Sequence, residues 1–454
     1  MTESATKLSF LRKMSLGSGD LAFNLYWQGS SLFLLYFYTD VLGVPATIAG
    51  TIYMVALVWD AAIDPVVGWA ADRTRTRLGR YRPYLIFGAP ALAVANAAMF
   101  FSPAMPDANS VWIVAVTHLA FRTIYAVVNI PYASLSARVT RDSAQRADLA
   151  GARILFAMIA GMLVSSTTLP FAGWLGGEDS RLGWQILAVV YGAVVVLILW
   201  NVARVTQGLD APEPVGQTRT PLGKVWSSIV ANRPLHLVLG VIVISSISGT
   251  FFSKNIIYYF KYIYGDTDAA TLVLTLGAAV TAAAVPFWIW IVRIKGKRFA
   301  WAAGTALVLA GTVLWWLANG HGLVPLLLAM AVISVGQCAG YICFWAVLPD
   351  TVEYGEWRTG TRTESLVFGL VVLGQKAALG IAAGGLGVAL SLIGYVPNEG
   401  MLPTTSDGLR MMMLAIPVVG AVVSLLLILN YRLSYEQHRQ IVRDIDERAS
   451  QTEG

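Results

Sequence analysis

Residues 47–71, TIAGTIYMVALVWDAAIDPVVGWAA, decide the fold class of this chain. They form an apolar stretch that is long enough to cross a lipid bilayer as a single helix. Asp60 and Asp64 lie one helical turn apart near its middle, so both carboxylates share one face, and Pro65 follows directly. Ionisable side chains at that depth are costly and almost always face a bundle interior or a watery cavity. We therefore predict a membrane helix with a functional carboxylate pair, for which a coupling-cation site is the first candidate.

The whole chain has the composition of a membrane protein. Of its 454 residues, 56% are hydrophobic and only 13% are charged, about half the charged fraction of a soluble protein. Apolar runs of about 20 residues or more divide it into twelve predicted spans. The spans cover approximately residues 15–38, 47–71, 83–103, 110–135, 149–173, 184–203, 234–260, 269–293, 300–319, 323–348, 365–394 and 408–430. The predicted class is an all-α membrane protein with twelve transmembrane helices.

Basic residues concentrate in alternate loops between these spans. Five arginines lie between residues 73 and 82, and two arginines and two lysines lie between residues 293 and 298. Because cytoplasmic loops retain positive charge, we expect an inner-membrane protein with both termini in the cytoplasm. The formal charge of +6 follows from this topology and predicts no nucleic-acid partner. Two cysteines in one span and four histidines give no metal or nucleophile pattern, so we expect no enzyme, cofactor or metal site.

A polar stretch divides the spans into two sets of six. We predict an N-terminal six-helix bundle over residues 1–204, a central cytoplasmic loop over 205–233, a C-terminal bundle over 234–431 and a cytoplasmic tail over 432–454. The two sets resemble each other, since the first span ends YFYTD and the seventh ends YYFKY. Such duplication predicts a transporter whose substrate site lies between the halves near the membrane midplane. A single chain is expected to be functional as a monomer.

The first span carries a polar stripe. Asp20, Asn24, Trp27 and Gln28 fall on one helical face. A carboxylate, two amides and an indole on one face suit a sugar, whose hydroxyls form hydrogen bonds and whose C–H faces stack on aromatic rings. The alternative is that Asp20, near the cytoplasmic end, only caps the helix or reaches to the interface.

The fourth span carries a second stripe, formed by His118, Arg122, Tyr125 and Asn129. A buried arginine needs a partner. Arg122 either pairs with a carboxylate and keeps the bundle electroneutral, or it binds an anionic group of the substrate, for which its two-pronged guanidinium is suited. His118 is expected to be a structural hydrogen-bonding group rather than a proton relay.

Two further cations lie inside predicted spans. Arg153 lies early in the fifth span and Lys376 in the eleventh. Together with Arg122 they balance the three carboxylates of the first two spans. Such a set can change partners when a cation or proton binds, which is a physical basis for coupling. Trp345 in the tenth span is a candidate aromatic wall of the substrate site, although packing explains it equally well.

Charged residues occur at matching cytoplasmic positions in the two halves. Asp72 and Arg80 follow the second span, and Asp350 and Arg362 follow the tenth. Ion pairs at such places latch a gate in one state and release it in the other. We predict that role for these four residues, in the loops between spans.

Five motifs together resemble one known family. They are YTDVLG at residues 38–43, WDAAIDP at 59–65, DRTRTRLGR at 72–80, NIPY at 129–132 and DTVEYG at 350–355. On these motifs the chain resembles the glycoside–pentoside–hexuronide:cation symporters, the melibiose-permease-like branch of the major facilitator superfamily, over nearly its whole length. The resemblance implies a major facilitator fold with two pseudo-symmetric six-helix halves.

The resemblance also implies roles for single residues. Asp60 and Asp64 serve the coupling cation, H⁺ or Na⁺, and Lys376 lies between the cation and sugar sites. The residues that line the sugar pocket would be Asp20, Tyr125, Asn129, Arg153 and Trp345. The expected function is import of a sugar or glycoside by cation symport through alternating access, with a small sugar, a cation and the bilayer as partners.

Departures from the family pattern bear on substrate and ion. The melibiose-type pattern has a second sugar-binding carboxylate at the position of Asn129 and a tryptophan at that of Ala133, so melibiose is not the expected substrate. It also takes neutral sodium ligands from positions that here are Ile63 and Ala126, which favours proton coupling. With Arg122 on the pocket face, an acidic glycoside such as a hexuronide stands beside a neutral pentoside. A lipid or lysolipid transporter on the same scaffold is the remaining alternative.

Overall fold

A computed structural model describes residues 8–101, 108–139, 143–177, 180–209, 229–360, 364–431, 433 and 435–453. These residues form long α-helices joined by short turns. The helices are α1 Phe10–Tyr36, α2 Ala46–Arg73, α3 Arg82–Phe100, α4 Ala108–Arg138, α5 Ser143–Gly176, α6 Ser180–Val205, α7 Arg233–Tyr259, α8 Thr267–Lys295, α9 Lys297–Leu317, α10 Leu323–Thr359, α11 Glu364–Leu392, α12 Pro403–Asn430 and α13 Tyr435–Glu453.

The predicted all-α membrane class is confirmed. Within the described residues, eleven helices, α2 to α12, are long and apolar enough to cross a membrane. Helix α1 is equally long, with 27 residues, but Arg12, Lys13 and Asp20 make it less apolar. It covers the first of the twelve predicted spans, and its polar residues agree with the polar stripe predicted for that span.

The chain forms two compact units. Unit 1 comprises residues 1–214, 256–275 and 383–406, and unit 2 comprises residues 215–255, 276–382 and 407–454. In unit 1, α1 packs on α5 and α6, α2 packs on α4, and α3 packs on α4 and α6. The predicted domain limits at residues 204, 233 and 431 stay a prediction, and much of the central loop, residues 210–228, lies outside the described part of the chain.

Unit 2 is built on the pair α9 and α10. A Cβ atom added to Gly304 of α9 would lie 2.8 Å from the carbonyl oxygen of Gly336 in α10, so only glycine permits this approach. Around the pair lies an apolar core that includes Trp288, Trp301 and Phe344. The indole Nε1 of Trp288 donates a hydrogen bond of 2.7 Å to the Val335 carbonyl, which satisfies a polar group that lipid could not.

A π-helical turn follows α1 and another follows α7. The first covers Phe37–Val41 and the second Phe260–Tyr264. These are the places where the sequence ends YFYTD and YYFKY resemble each other. A π turn widens the helix by one residue and frequently marks a functional site. The internal similarity read from the sequence therefore corresponds to a shared backbone irregularity.

Two segments differ from the sequence-based expectation. The motif Asp350–Gly355 was expected in a loop, but α10 continues through Pro349 to Thr359. The proline removes only one hydrogen bond of the helix, and the packing of the following turns against α9 and α13 offsets that loss. The predicted tail contains the amphipathic helix α13, Tyr435–Glu453, which packs on α10.

Candidate functional site

Asp20 lies at the centre of a hydrogen-bonded cluster in unit 1. Arg153 of α5 approaches it with Nε 2.6 Å from Oδ2 and Nη2 3.3 Å from Oδ1. The hydroxyl of Tyr132 in α4 lies 2.6 Å from Asp20 Oδ2 and 2.8 Å from the Leu16 carbonyl, and its single proton serves one of them at a time. Asp20 is therefore held by a two-pronged ion pair inside the unit. The alternative in which Asp20 only caps its helix does not account for this pair.

The predicted stripes of α1 and α4 face each other. The ring of Trp27 lies 6.3 Å from that of Tyr125, and Phe23 meets Tyr125 edge to face at 5.6 Å. Asn24 turns back along its own helix, because its Nδ2 donates to the Asp20 carbonyl at 2.8 Å. Gln28 points towards Gly161 of α5, where an added Cβ would lie 3.9 Å from Gln28 Nε2. Aromatic and polar groups thus alternate along this interface.

Arg122 is buried among aromatic rings. Its side chain is almost fully enclosed, with 1% of the residue exposed. The guanidinium carbon lies 5.3 Å from the ring centre of Trp27 and 5.8 Å from those of Tyr53 and Phe121. Cations over ring faces at this distance are stabilised electrostatically, most strongly where water is excluded. The surroundings of Arg122 are those of an internal charge.

The hydrogen bonds of Arg122 define the state of His118. Arg122 Nε donates to His118 Nε2 at 3.4 Å, and Nη2 donates to Ser30 Oγ at 3.4 Å. Arginine has no acceptor atoms, so the accepting nitrogen of His118 carries no proton. His118 thus accepts a hydrogen bond within unit 1, and its predicted structural role stays a prediction.

Helix α2, which carries Asp60 and Asp64, packs on α4, where Tyr125 is buried against rings of α1. Asp60 is fully buried and Asp64 half-buried. Helix α2 also runs through Pro65, which has no N–H, so the Ala61 carbonyl between the two aspartates loses its helical hydrogen bond. The predicted cation residues therefore lie on a helix that packs directly on the helix of Tyr125 and Asn129.

Truncation of Arg153 is expected to disable this cluster. In Arg153→Ala, Asp20 keeps Tyr132 but loses its cation, and we expect substrate exchange in proteoliposomes to fall by about tenfold or more. Arg153→Lys keeps the charge without the two-pronged geometry, so its activity should lie between those of Arg153→Ala and wild type. Exchange at the wild-type rate in Arg153→Ala would show that the ion pair has no part in recognition.

The other predicted pocket residues are distributed over both units. Asn129 lies half-buried on α4 in unit 1, one turn beyond Tyr125. Trp345 of α10 and Lys376 of α11 belong to unit 2. Trp345 is 51% exposed and stacks obliquely on Phe344 with ring centres 4.6 Å apart, while Lys376 is half-buried. Their roles in binding stay predictions.

The predicted gate residues Asp72, in α2, and Arg80, in the turn before α3, both lie beside Tyr81. Asp72 Oδ1 accepts a hydrogen bond of 2.7 Å from the Tyr81 hydroxyl, and the guanidinium of Arg80 lies 5.9 Å from the Tyr81 ring centre. Arg80 is 3% exposed. Arg362 lies outside the described residues, so its predicted pairing stays a prediction.

Asp350 belongs to a charged network in unit 2 that the sequence only partly indicated. Lys297 Nζ lies 2.8 Å from both carboxylate oxygens of Asp350 and 2.8 Å from the Ala346 carbonyl. His438 of α13 lies 3.6 Å from Asp350 and forms a hydrogen bond with Glu353. The spacing of the two carboxylates and the imidazole would accommodate a metal ion. The ammonium of Lys297 already neutralises Asp350, however, so an ion-pair network accounts for the arrangement.

Helix α13 is held on α10 by this network and by a tryptophan. Trp357 donates to Asp444 Oδ2 at 2.9 Å, and Arg448 donates to the Trp357 carbonyl at 2.8 Å. In His438→Ala the contacts to Glu353 and Asp350 are lost. We expect proteolysis of the tail to accelerate about fivefold, equivalent to about 1 kcal/mol. His321→Ala, at an exposed histidine, is the matched control and should leave the cleavage rate unchanged.

A second cluster surrounds Asp40 in the first π turn. Lys261 Nζ and the Tyr262 hydroxyl bond to Asp40 Oδ1 at 2.6 and 2.5 Å, and the Tyr395 hydroxyl bonds to Oδ2 at 2.6 Å. Asn398 Nδ2 donates to the Asp40 carbonyl at 2.8 Å. Burial, together with the neighbouring Tyr258 and Asp40, raises the pKa of Tyr395, so its phenol remains a proton donor. The cluster joins the ends of α1, α7 and α11 within unit 1.

The sequence did not indicate most of this cluster. Asp40 and Lys261 lie within the similar span ends YFYTD and YYFKY, and that similarity was the available signal. Tyr395 and Asn398 follow α11 in a loop without periodic pattern. A cleft of about 550 Å³ opens beside the cluster, with Trp174 among its lining residues. The cluster therefore lies at an accessible end of unit 1.

Removal of the central carboxylate is expected to destabilise unit 1. Asp40→Ala leaves Lys261, Tyr262 and Tyr395 without their shared acceptor, and we expect a loss of about 3 kcal/mol in unfolding free energy. The measurement is thermal unfolding of the purified protein. The exposed Asp268→Ala is the control. An unchanged melting temperature for Asp40→Ala would contradict the assignment of Asp40 as a structural acceptor.

Comparison with known proteins identifies the family of this chain. Residues 15–435 match the family model for MFS/sugar transport proteins. The chain is 28% identical over 449 residues to the isoprimeverose transporter of Lactiplantibacillus pentosus, covering 97% of this chain and 92% of the relative. It is 29% identical over 454 residues to the glucuronide carrier protein homolog of Escherichia coli strain K12, covering 97% and 96%.

Solved structures support the fold. The model resembles a bacterial homolog of the human lysosomal transporter Spinster with a TM-score of 0.71 and 13% identity, over 96% of this chain and 99% of that one. Together with the family match, this likeness confirms the predicted major facilitator fold. The chain is a multi-pass membrane protein and a secondary transporter of the sugar-transport type, and it belongs to the MFS/sugar transport family, among the relatives of the glycoside–cation symporters.

Proposed function

We propose that this protein imports a glycoside across the inner membrane by symport with a cation, with both termini in the cytoplasm. The observation that carries the proposal is the cluster in which Arg153 and Tyr132 hold Asp20, on the helix face that also brings Trp27 against Tyr125. Buried charges in a membrane helix are retained where an ion or substrate uses them. If the sugar site and the cation site lie on helices that pack together, binding at one site can change the affinity of the other.

The substrate-binding part of the proposal rests on α1, α4 and α5. Asp20, Tyr132 and Arg153 present hydrogen-bonding groups, and the rings of Trp27 and Tyr125 lie one to two turns further along the same faces. Directional polar groups beside aromatic rings are the requirements of a sugar ring. The names of the relatives, an isoprimeverose transporter and a glucuronide carrier homolog, span neutral and acidic glycosides. Both classes are therefore candidates.

The proposed transport cycle is alternating access, in which the substrate site opens to one side of the membrane at a time. The Asp40 cluster is proposed to seal the external end in one state, and the networks around Asp72 and Asp350 to respond at the cytoplasmic end. Each is an ion-pair or hydrogen-bond cluster at a helix end, the kind of contact that can form in one state and break in the other. The coupling ion is proposed to bind at Asp60 and Asp64, with H⁺ favoured over Na⁺.

The test uses the purified protein in proteoliposomes and a matched pair of labelled probes. Methyl β-D-xyloside and methyl β-D-glucuronide differ only in the carboxylate at C5 of the sugar. We expect exchange of at least one of them across the membrane, competed by the unlabelled compound. Lysophosphatidylcholine serves as the probe for the rival lipid-transport function. Transfer of lysolipid without exchange of either glycoside would overturn the proposal.

A further inference from the structure

We propose that the cleft beside the Asp40 cluster is a second sugar site, which binds a neutral glycoside before it reaches the transport site. The cleft has a volume of about 550 Å³ and lies within unit 1, between the ends of α1 and α5 and the start of α8. Its size lies in the range of about 300–1,000 Å³ that is typical of small-ligand sites. The class of ligand follows from the residues that line the cleft, whereas its place in transport rests on the proposed function.

The wall that α5 and α6 contribute to the cleft is aromatic. Trp174, in the last turn of α5, is 76% exposed. Trp184, near the start of α6, is held rigidly from behind, because its ring lies 5.5 Å from that of Phe37 and is stacked parallel to that of Phe100 at 6.0 Å. Indole rings provide a large contact area at a low cost in conformational entropy. The wall therefore offers one accessible and one fixed surface for the C–H face of a sugar ring.

The rest of the lining offers hydrogen-bonding groups of both kinds. Lys261 Nζ bonds to Asp40 Oδ1 at 2.6 Å and to Asn398 Oδ1 at 2.8 Å, and these contacts within the described residues use two of its three N–H donors. Thr267 and Asp268, at the start of α8, are exposed and supply a hydroxyl and a carboxylate. Donors and acceptors beside aromatic rings match the hydroxyls and C–H groups of a pyranose.

The charges of the described lining residues favour a neutral ligand over an acidic one. The ammonium of Lys261 is paired with Asp40, and it also lies 5.2 Å from the ring centre of Tyr36. Asp268 adds an exposed negative charge. A substrate carboxylate would therefore meet a cation that is already neutralised and an anion that repels it. Methyl β-D-xyloside is accordingly expected to bind in the cleft more tightly than methyl β-D-glucuronide.

Asn398 connects the cleft to the Asp40 cluster from a left-handed backbone position. Its φ of 60° lies in a region that residues other than glycine rarely adopt. Its N–H donates to the Tyr262 hydroxyl at 2.8 Å, its Nδ2 donates to the Asp40 carbonyl at 2.8 Å, and its Oδ1 accepts from Lys261. A ligand hydroxyl that replaces the bond between Lys261 and Asn398 weakens the contacts that hold this conformation. Binding in the cleft is therefore expected to loosen the cluster that is proposed to seal the external end.

The first experiment measures whether a glycoside protects a cysteine in the cleft from a maleimide. Gly173→Cys places a thiol on the lining, one residue before Trp174, where an added Cβ meets no atom within 4 Å. Gly400→Cys is the matched control, because it is exposed and has the same free space but does not line the cleft. Both proteins are labelled in lipid nanodiscs that are free of glycoside detergents, and the buried native cysteines should add little background.

We expect saturating methyl β-D-xyloside to slow the labelling of Gly173→Cys by about fivefold, since a bound ligand covers most of such a pocket. Methyl β-D-glucuronide at the same concentration should slow it less. Neither glycoside should slow the labelling of Gly400→Cys.

The second experiment tests whether Trp174 is the stacking group. When Trp174→Ala is combined with Gly173→Cys, the xyloside concentration for half-maximal protection should rise by about tenfold or more. Trp112→Ala is the control, because this tryptophan of α4 is 71% exposed and does not line the cleft. In proteoliposomes, Trp174→Ala alone should raise the KM of xyloside exchange and keep the maximal rate within about twofold, because the transport site is intact.

Three results would overturn the inference. The first is a lack of xyloside protection in Gly173→Cys while wild type exchanges xyloside. The second is unchanged protection and an unchanged KM in Trp174→Ala. The third is equal slowing of Gly400→Cys, which would show a change of the whole protein rather than occupancy of the cleft. If wild type exchanges neither glycoside but xyloside still protects Gly173→Cys, the proposed transport function fails and the sugar site in the cleft stands.

Discussion

Replacing both Asp60 and Asp64 with asparagine is expected to abolish accumulation of glycoside against a gradient while leaving exchange measurable. Asparagine preserves the size of each side chain and removes its charge, so the variant tests charge rather than packing. With both carboxylates neutral, no group in the pair can take up and release a cation. Substrate can still cross down its own gradient, because Asp20 and Arg153 are untouched.

The measurement is the ratio of internal to external labelled glycoside at steady state under an imposed proton gradient. We expect the ratio for the double variant to be close to unity. Asp407→Asn is the matched control, since that aspartate is exposed and pairs with Arg410 three residues away. Undiminished accumulation by the double variant would show that the coupling cation binds elsewhere in the chain.

Gly387→Val is expected to have the second large effect. In unit 1, α11 crosses α2 so closely that a Cβ on Gly387 would lie 3.0 Å from the Cα of Gly50 and would collide with the Ala46 carbonyl. Thr47 and Ser391 are joined by a hydrogen bond of 2.6 Å beside this crossing. Backbone atoms cannot give way as a side chain can, so valine must push the helices apart. The arrangement that holds the Asp40 cluster is then disfavoured.

We expect transport by Gly387→Val to fall by about tenfold or more. Overpacking that destabilises the state with the close α2–α11 crossing by about 1.4 kcal/mol would reduce the population of that state about tenfold. Labelling of a cysteine introduced at Asn398 should become faster because the Asp40 cluster opens. The two native cysteines are buried and should add little background labelling. Gly369→Val lies on the same helix at a position with open space and is the control. Normal transport and labelling in Gly387→Val would exclude the crossing as part of the cycle.

Local patterns were sufficient to predict most of the fold. Apolar length gave the twelve spans, and Arg12, Lys13 and Asp20 did not obscure α1 because its apolar residues continue to Tyr36. Helix continuation beyond the membrane was harder to predict. Pro349 and the charged residues after it indicated a loop, but contacts of Asp350 with Lys297 and His438 stabilise the extension of α10. Such contacts join residues far apart in the sequence and leave no periodic signal.

In the candidate site, too, local features could be predicted from the sequence and long-range contacts could not. Helical spacing correctly placed Asp20, Trp27 and Tyr125 on facing stripes, since a face is a local property of a helix. The choice of partners was not predictable in this way. Sequence alone did not determine whether Asp20 would pair with Arg122 or Arg153, because that depends on which helices pack together. Tyr395 and Asn398 of the Asp40 cluster were missed for the same reason.

The central claim is that glycoside and cation cross the membrane together and that the charged residues of four helices bind them. These residues are Asp20 of α1, Asp60 and Asp64 of α2, Arg122 of α4 and Arg153 of α5. The most direct measurement is external pH in a weakly buffered suspension of proteoliposomes when the transported methyl glycoside is added. The proposed mechanism predicts a transient alkalinisation as protons enter with the sugar, absent in the double asparagine variant of Asp60 and Asp64. Glycoside entry into wild-type vesicles without movement of protons or of sodium would contradict it.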